Sequence, residues 1–364
     1  MLKDYFDFLR ECRRVFHANA ETAFNEKNTV RLIKKYAENF CCKVSDVAGG
    51  VLLFFDCKKG RTLLFRAEED GLPIKENTGL IFSAQNGNMH ACGHDGHIAV
   101  CLGLAKYVDE AIKKGRMFSR DVAVLFQPAE EGCGGMAGVI DSGQLDKLNL
   151  CAAFALHVMP DLKKGKIFTR SGGIFAGTTE TDVIFIGKER HIAAQPKENA
   201  LAAASEFVLL SSRYGGDGKI FFGKINGGSA RNVVCGKVTL NGSVRFFSTA
   251  AKKDIMQYLN FYAQKCAQKY DCKVDIQTSE GIPPVINDDD LYQKTKAVLK
   301  TAECKKFLYG DDFGMLSGKC PCLYCLLGAG DVPPLHCPEF CFDEKILIDG
   351  LDFFVGVLGA SQAF

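Results

Sequence analysis

The ten residues Asn88–His97, NMHACGHDGH, concentrate side chains that bind metal ions. They include three of the seven histidines of the chain, with one cysteine and one aspartate. Only a glycine separates Cys92 from His94, so one bend of the backbone can direct a thiolate and an imidazole to the same point. Thiolate, imidazole and carboxylate ligands together suit zinc or a similar first-row divalent ion.

Further candidate ligands follow four short apolar runs. The runs TLLFRAEED, DVAVLFQPAEE and CAAFALHV contain or end at Asp70, Glu130–Glu131 and His157, and the run PCLYCLLGAG precedes His336. Runs of this kind, with polar or helical stretches between them, are typical of buried strands in a largely parallel sheet. Because ligands of such sheets gather at the carboxyl ends of the strands, we expect these side chains to meet in one site.

The predicted metal ligands are five side chains: Cys92, His94, Glu131, His157 and His336. Five ligands are too many for one tetrahedral ion but suit two ions about 3.5–4 Å apart. Asp70 and Asp95 remain as acceptors that could orient a ligating histidine. The residue types admit zinc, manganese, cobalt or nickel and do not distinguish among them.

Glu130, beside Glu131, is the candidate for proton transfer. Adjacent side chains leave the chain in different directions, so Glu131 can bind an ion while Glu130 faces the water molecule that the ions activate. A carboxylate there can take a proton from the water and deliver it to a leaving nitrogen. These residue types therefore favour metal-assisted hydrolysis of an amide bond.

Each feature also has an ordinary structural interpretation. His157 could be a hydrogen-bonded core histidine, Glu130 and Glu131 an exposed pair, and NMHACGHDGH a glycine-rich turn. The cysteines of CPCLYC, with Cys337 and Cys341, could hold an iron–sulfur cluster or zinc, but their spacing matches no common motif and buried core thiols are favoured. Several strand-end coincidences at once favour the metal site.

The order of elements predicts an α/β fold, a mostly parallel sheet with helices on both faces, with an inserted α+β domain. Residues 1–45 are predicted to be helical, whereas the segments GTTETDVIFIGKERH and GKVTLNGSVRFF alternate like half-exposed antiparallel strands. We predict that residues 1–174 and 286–364 form the catalytic domain. Residues 175–285 are predicted to form the insertion.

Composition excludes several classes of partner. The 364 residues include 45 Lys and Arg against 43 Asp and Glu without a block of like charge, so neither nucleic acid nor a membrane surface is predicted as a partner. The charged N-terminus lacks the apolar core of a signal peptide, and no stretch is long enough for a membrane span. The 17 scattered cysteines predict reduced thiols and a cytoplasmic protein.

With these residues assembled, the chain resembles the M20 family of metallopeptidases and amidohydrolases. The resemblance is greatest to its aminoacylase-like branch, which includes hippurate hydrolases, auxin-conjugate hydrolases and N-acetyldiaminopimelate deacetylases. Matching segments extend nearly from end to end: FHANAETAFNEKNT, FRAEEDGLPIKE, MHACGHDGH, LFQPAEEG, ALHVMPDLKKGKI, GKERHIAAQP, GGSARNVV, GSVRFF, GDDFGML and LHCPEF.

The resemblance implies a catalytic domain with two divalent ions and an inserted lid domain that commonly mediates dimerisation, and hence a homodimer. It places the five predicted ligands at metal-binding positions, Glu130 at that of a proton-shuttling glutamate and Asp70 at that of an active-site aspartate. His191, Asn232 and Arg245 match lid residues that contact the substrate or the tetrahedral intermediate. Arg245 could equally be an exposed strand residue in a surface ion pair.

Some positions depart from the family pattern. Glu189 and Arg190 replace the two glycines usual before the lid histidine, Glu68 replaces a common aspartate, and Asp311 replaces a common glutamate. None of these changes removes a predicted ligand or Glu130. The expected function is removal of an acyl group, first of all acetyl, from an amino acid, with N-acetyl-L-2,6-diaminopimelate as the first candidate. The alternatives are a broader N-acyl-amino-acid or hippurate-type hydrolase or a dipeptidase, and a non-catalytic metal- or peptide-binding homologue.

Overall fold

A computed structural model describes residues 2–132 and 134–364, which divide into two compact units. The first contains the described residues up to Ile174 together with Ile286–Lys305 and Met315–Phe364. The second contains Phe175–Val285 and Lys306–Gly314. The short segment 306–314, assigned to the catalytic domain from the sequence, thus clusters with the second unit, where the Ala176 amide donates to the Tyr309 carbonyl oxygen at 2.8 Å.

The first unit is built around a large mixed sheet. In spatial order its strands are β1 (Lys43–Val47), β2 (Gly50–Phe55), β4 (Asp121–Gln127), β3 (Thr62–Glu68), β5 (Leu150–Pro160), β16 (Cys322–Gly330), β6 (Ile167–Thr169) and β15 (Ala302–Glu303). The central strands β4, β3, β5 and β16 run parallel. They are the four apolar runs singled out in the sequence, which confirms the predicted fold class. Strand β2 pairs antiparallel with both β1 and β4.

Helices surround this sheet and explain why its central strands are apolar throughout. They are α1 (Phe6–Ala18), α2 (Lys27–Ala37), α3 (His94–Lys113), α4 (Gly135–Asp141), α7 (Asp289–Val298) and α8 (Ile346–Gly359). Every residue of β3 and β4 is buried, as expected for parallel strands covered on both faces. Helix α3 is apolar on most of its circumference because it packs against α1, α8 and β3. This burial fixes the start of α3, where His94 lies.

The second unit is an antiparallel sheet covered by two helices. Its strands lie in the order β10 (Gly218–Gly227), β12 (Lys237–Phe246), β8 (Gly177–Ile186) and β13 (Lys273–Thr278). Helices α5 (Ala200–Ser211) and α6 (Thr249–Lys269) pack on one face, so burial alternates along β8 and β12. The short strands β9 (Arg190–His191) and β11 (Val233–Val234) pair antiparallel beside this sheet.

The remaining elements are short. The chain passes from one unit to the other within β7 (Gly172–Phe175) and β14 (Val285–Asn287), and again at both ends of segment 306–314. Turns of 3₁₀ helix occur at Leu2–Tyr5, Leu145–Leu148, Ile192–Ala194, Asp312–Gly318 and Ser361–Ala363. Within residues 2–132 and 134–364, no helix has both the length and the apolar character needed to cross a bilayer.

Candidate metal centre

The five predicted ligands all lie in the first unit, near the carboxyl ends of its central strands. Cys92 and His94 lie at the start of α3, after the long loop that follows β3. Glu131 follows the end of β4, His157 lies near the carboxyl end of β5, and His336 follows β16. The parallel arrangement therefore directs all five to the same edge of the sheet.

The donor atoms of these side chains are close together. The Cys92 sulfur lies 3.4 Å from Nε2 of His157 and 3.2 Å from Nε2 of His336. Nε2 of His336 also lies 3.1 Å from Oε1 of Glu131. Ligand atoms of Cys92, His94 and Glu131 all lie within 4.8 Å of one another. The structure thus brings one sulfur, three imidazoles and a carboxylate into one cluster.

Hydrogen bonds at the outer ring nitrogens orient two of the histidines. Nδ1 of His94 donates to the Asp70 carbonyl oxygen at 2.9 Å, and Nδ1 of His157 donates to the Val158 carbonyl oxygen at 2.7 Å. With Nδ1 protonated, Nε2 of each neutral ring carries the lone pair that a metal ion needs. Asp70 also accepts a hydrogen bond from the Glu131 amide at 2.9 Å, so it contacts both sides of the cluster.

Buried charge in the cluster favours a cation. Burial raises the pKa of the Cys92 thiol far above its ordinary value, and the Glu131 and Glu130 carboxylates raise it further. Burial alone would lower the pKa of His94, but Asp70 and Glu68 outweigh it and raise this pKa to about 10. Nε2 of His94 is buried without a hydrogen-bond partner among the described residues. A divalent cation would take the place of the proton on this nitrogen and stabilise the thiolate, so the residues present fit a metal centre.

The backbone around two of the site segments is strained. His336 has φ of +63° and Ala129, next to Glu130, has φ of +53°. Residues other than glycine avoid this left-handed region, at a cost of about 1–3 kcal/mol each. The His336 amide donates to the Ala91 carbonyl oxygen at 2.9 Å, which ties the His336 segment to the loop that carries Cys92. The His336 segment is therefore held in a geometry that it would not adopt alone.

Asp95 does not orient a ligating histidine, contrary to the expectation from its position. It lies on the face of α3 that packs against α1, where its Oδ2 accepts from Nε of Arg13 at 3.1 Å and lies 2.9 Å from Nδ1 of His17. Nε2 of His17 lies 3.1 Å from both carboxylate oxygens of Glu76. His17 thus joins the long loop before α3 to the helical layer.

The position of His17 between two carboxylates predicts a pH-dependent stability. Burial lowers its pKa, but Asp95 and Glu76 outweigh burial and raise the pKa to about 9, above the value of about 6.5 of an unfolded histidine. Because the folded-state pKa is the higher one, the stabilisation is complete below pH 6.5 and is lost as pH rises towards 9. We expect His17→Gln to lower the free energy of unfolding by about 3 kcal/mol more at pH 6 than at pH 9.5.

Denaturant titrations of parent and variant at several pH values measure this difference. Comparing the two proteins removes the contribution of the titrating groups that do not contact His17. An exposed control, Lys300→Gln, is expected to leave the pH profile unchanged. A difference between parent and His17→Gln that stays constant from pH 6 to pH 9.5 would contradict the assigned charge of His17.

Sequence reasoning did not identify a buried polar group beside the predicted ligands, in which Glu68 and His97 join His94 and His157 as side chains that could hold a metal ion. Nδ1 of His97 lies 2.8 Å from Oε2 of Glu68, and Oε1 of Glu68 pairs with Arg66. These side chains are almost completely buried. His94 and His97 are three residues apart on one helix, and that spacing is the signal that could have placed His97 beside the site.

The predicted lid residues lie in the second unit. Nε2 of His191 lies 3.3 Å from Nδ2 of Asn232, and Nδ1 of His191 accepts from the Ala193 amide at 3.2 Å. Both side chains are exposed. Arg245 lies on β12 opposite Thr178 of β8, and in the described part of the chain no hydrogen bond or ion pair joins it to His191 or Asn232. The structure therefore brings two of the three residues together.

The cysteines of CPCLYC lie in the interior of the first unit. Cys322 and Cys325 are buried in β16, and the described cysteines are free thiols. The candidate metal-binding groups formed by the described residues contain neither of them.

Comparisons with known proteins agree with this fold. The sequence profile of peptidase family M20/M25/M40 matches residues 64–360. The chain is 32% identical to the N-acetyldiaminopimelate deacetylase of Lactococcus lactis subsp. cremoris, with 96% of each chain covered. It is equally 32% identical to the N-acetyldiaminopimelate deacetylase of Lactobacillus helveticus, again with 96% of each chain covered.

A solved structure of a protein from the M20 family has a similar fold. The YXEP protein of Bacillus subtilis, described as a dinuclear metal binding peptidase from the M20 family, superposes with a TM-score of 0.87 at 26% sequence identity, and 99% of each chain is covered. The fold and the site define a metal-dependent amidohydrolase, which hydrolyses amide bonds. The chain belongs to peptidase family M20/M25/M40.

Proposed function

We propose that this protein removes the acetyl group from an N-acetylated amino acid, with N-acetyl-L-2,6-diaminopimelate as the first substrate. Near-full-length similarity to two deacetylases that carry this substrate in their names supports the choice. The observation that carries the chemistry is the cluster of Cys92, His94, Glu131, His157 and His336 beside Glu130. A reducing cytoplasm, which the many free thiols suit, is the proposed location.

We assign the five clustered side chains as ligands of two divalent ions. Zinc, manganese, cobalt and nickel all accept this mixture of sulfur, nitrogen and oxygen donors. When bound, the ions would polarise the substrate carbonyl group and lower the pKa of a water molecule towards neutrality. Asp70 helps to fix the relative positions of His94 and Glu131, because it contacts the His94 ring and the Glu131 backbone at the same time.

Glu130 is the proposed general base and general acid. It directly precedes the ligand Glu131, and the left-handed residue Ala129 fixes the turn in which both lie. Its carboxylate takes the proton from the attacking water and then delivers it to the amine nitrogen, which leaves as a neutral amine. An amine is too basic to leave as an anion, so this proton delivery is required for cleavage.

The second unit is the proposed lid and dimerisation domain. Residues 175–285 carry His191, Asn232 and Arg245, whose polar groups suit a substrate carboxylate or the oxyanion of the tetrahedral intermediate. Strand β10 is an edge strand, and about half of the Phe221 side chain is exposed on it. An unpaired edge with exposed apolar side chains favours pairing with a second copy of the chain, and we propose a homodimer formed through this unit.

A substrate panel tests the function. Metal-loaded protein is incubated with N-acetyl-L-2,6-diaminopimelate, N-acetylmethionine, N-benzoylglycine and an unmodified dipeptide, and the released amine is measured together with the metal content per chain. We expect two ions per chain and the highest kcat/KM with the acetylated diaminopimelate. A preference for N-benzoylglycine or the dipeptide would favour the broader hydrolase. Two bound ions without release of amine from any compound would favour the non-catalytic homologue.

A further inference from the structure

Near the carboxyl end of β5, the backbone amide of Val158 donates to a side chain. Strand β3 pairs with β5 only as far as Arg66 opposite Ala155. Beyond this point Val158 is buried, and its amide donates to Nε2 of His97 at 2.9 Å. Because an unsatisfied buried amide is destabilising, this hydrogen bond to an imidazole takes the place of one to a neighbouring strand.

This contact determines which ring nitrogen of His97 carries the proton. Because Nε2 accepts from Val158, the ring proton lies on Nδ1 and is donated to Oε2 of Glu68 at 2.8 Å. The other oxygen of Glu68 pairs with Arg66, whose Nε donates to Oε1 of Gln127 at 2.8 Å. A buried carboxylate thus fixes the orientation of a buried imidazole, and the neighbouring strands β3 and β4 hold that carboxylate.

The same peptide also holds the proposed ligand next to it. The Val158 carbonyl oxygen accepts from Nδ1 of His157 at 2.7 Å, and the ring centroids of His97 and His157 are 4.6 Å apart. Nε2 of His157 faces the Cys92 sulfur. A continuous series of contacts therefore runs from Glu68 through His97 and the Val158 backbone to His157.

We propose that Glu68 and His97 are positioning residues that set the orientation of His157 at the metal centre through the Val158 backbone. The inference rests on the proposed function, since it takes His157 as a metal ligand. Glu68 and His97 lie close enough to His94 and His157 to form a group that could itself hold an ion. Both ring nitrogens of His97 are occupied, however, by the Val158 amide and by Glu68, which favours an orienting role over a ligating one. Outer groups that orient ligands in this way typically contribute about 10–100-fold to metal affinity.

Two replacements of His97 test separately the hydrogen bonds that its two ring nitrogens form. In His97→Gln, the side-chain oxygen can take the place of Nε2 and still accept from the Val158 amide. In His97→Asn, the shorter amide can take the place of Nδ1 and donate to Glu68, but it leaves the Val158 amide without a partner. If support of Val158 is what matters, we expect His97→Asn to weaken the binding of one ion equivalent about 10–100-fold. We expect His97→Gln, which keeps the acceptor for Val158 but loses the contact with Glu68, to show a smaller loss than His97→Asn.

The measurement is a calorimetric titration of metal-free protein with zinc, with circular dichroism as the test of folding. Asp121→Asn is the control, because Asp121 is a buried carboxylate that binds the Lys59 and Gly60 amides at the start of β4, away from the carboxyl ends of the strands. We expect it to lower stability and to leave zinc affinity unchanged. Glu68→Asp, which keeps its charge beside Arg66 but is too short to reach His97 well, provides a second test if His97→Asn does not fold, with the same expected loss.

Results that contradict the positioning role differ from results that contradict the proposed function. Equal zinc affinity in the parent, His97→Asn and Glu68→Asp, or equal losses in His97→Asn and His97→Gln, would overturn the positioning role. A parent protein that binds no zinc would instead refute the metal centre on which the proposed function depends.

Discussion

Replacement of Glu130 by glutamine is expected to lower kcat by about 10²–10⁴-fold while two metal ions remain bound. Glutamine has the size of glutamate and can still form hydrogen bonds, but it cannot accept a proton from water or deliver one to the leaving nitrogen. The ligands are not altered, because Glu131 and the histidines keep their partners. Steady-state kinetics with an acetylated amino acid and elemental analysis of the same sample measure both effects.

Glu303→Gln is a suitable control, because Glu303 is exposed on the short edge strand β15. It is expected to match the parent in both measurements. If Glu130→Gln lost its metal, the glutamate would have a role in binding the ions. If it kept full activity with its metal, Glu130 would not be the proton carrier, and another group would have to protonate the amine.

Replacement of Cys92 by serine is expected to remove at least one ion equivalent and to abolish turnover. The sulfur lies within 3.4 Å of both His157 and His336, so it joins two parts of the proposed ligand set. A serine hydroxyl is a poorer ligand than a thiolate, and it does not ionise at neutral pH. We expect metal affinity to fall more than about 100-fold, beyond the effect of losing an orienting group. Metal titration of the purified variant measures the loss.

Cys101→Ser is the matched control, since Cys101 is also a buried thiol but lies within α3. It should keep the metal and the activity of the parent. Hydrogen peroxide gives an independent test, because oxidation of Cys92 would destroy the thiolate ligand. Activity that survives both the serine replacement and peroxide treatment would contradict the assignment of Cys92.

The sequence predicts the centre of the fold well, because long apolar runs and polar strand ends are local features. Strands β3, β4, β5 and β16 and their parallel arrangement follow from such runs, as does the clustering of the five side chains at one edge. The pattern does not single out β2, whose run Gly50–Phe55 pairs antiparallel with β4. Nothing local distinguishes a buried antiparallel strand from a parallel one, because both are apolar throughout.

The contacts that cross between elements are the part that could not be predicted. Asp95 is adjacent to a proposed ligand in sequence, yet the turn of the helix directs it to Arg13 and His17 of α1. Segment 306–314 joins the second unit because of backbone hydrogen bonds to residues far away in sequence. The role of His97 depends on where β3 stops pairing with β5, which no periodicity reveals.

The left-handed backbone at His336 affects which residues this position would accept during evolution. Glycine or asparagine would occupy that conformation more comfortably, so a histidine there makes the empty protein less stable than it needs to be. About half of this side chain is exposed, whereas Cys92, His94 and His157 are buried. Because His336 is a proposed ligand, a homologue that binds no ions would gain stability from glycine or asparagine at this position. Under this proposal, the residue at position 336 distinguishes homologues that bind ions from those that have lost them.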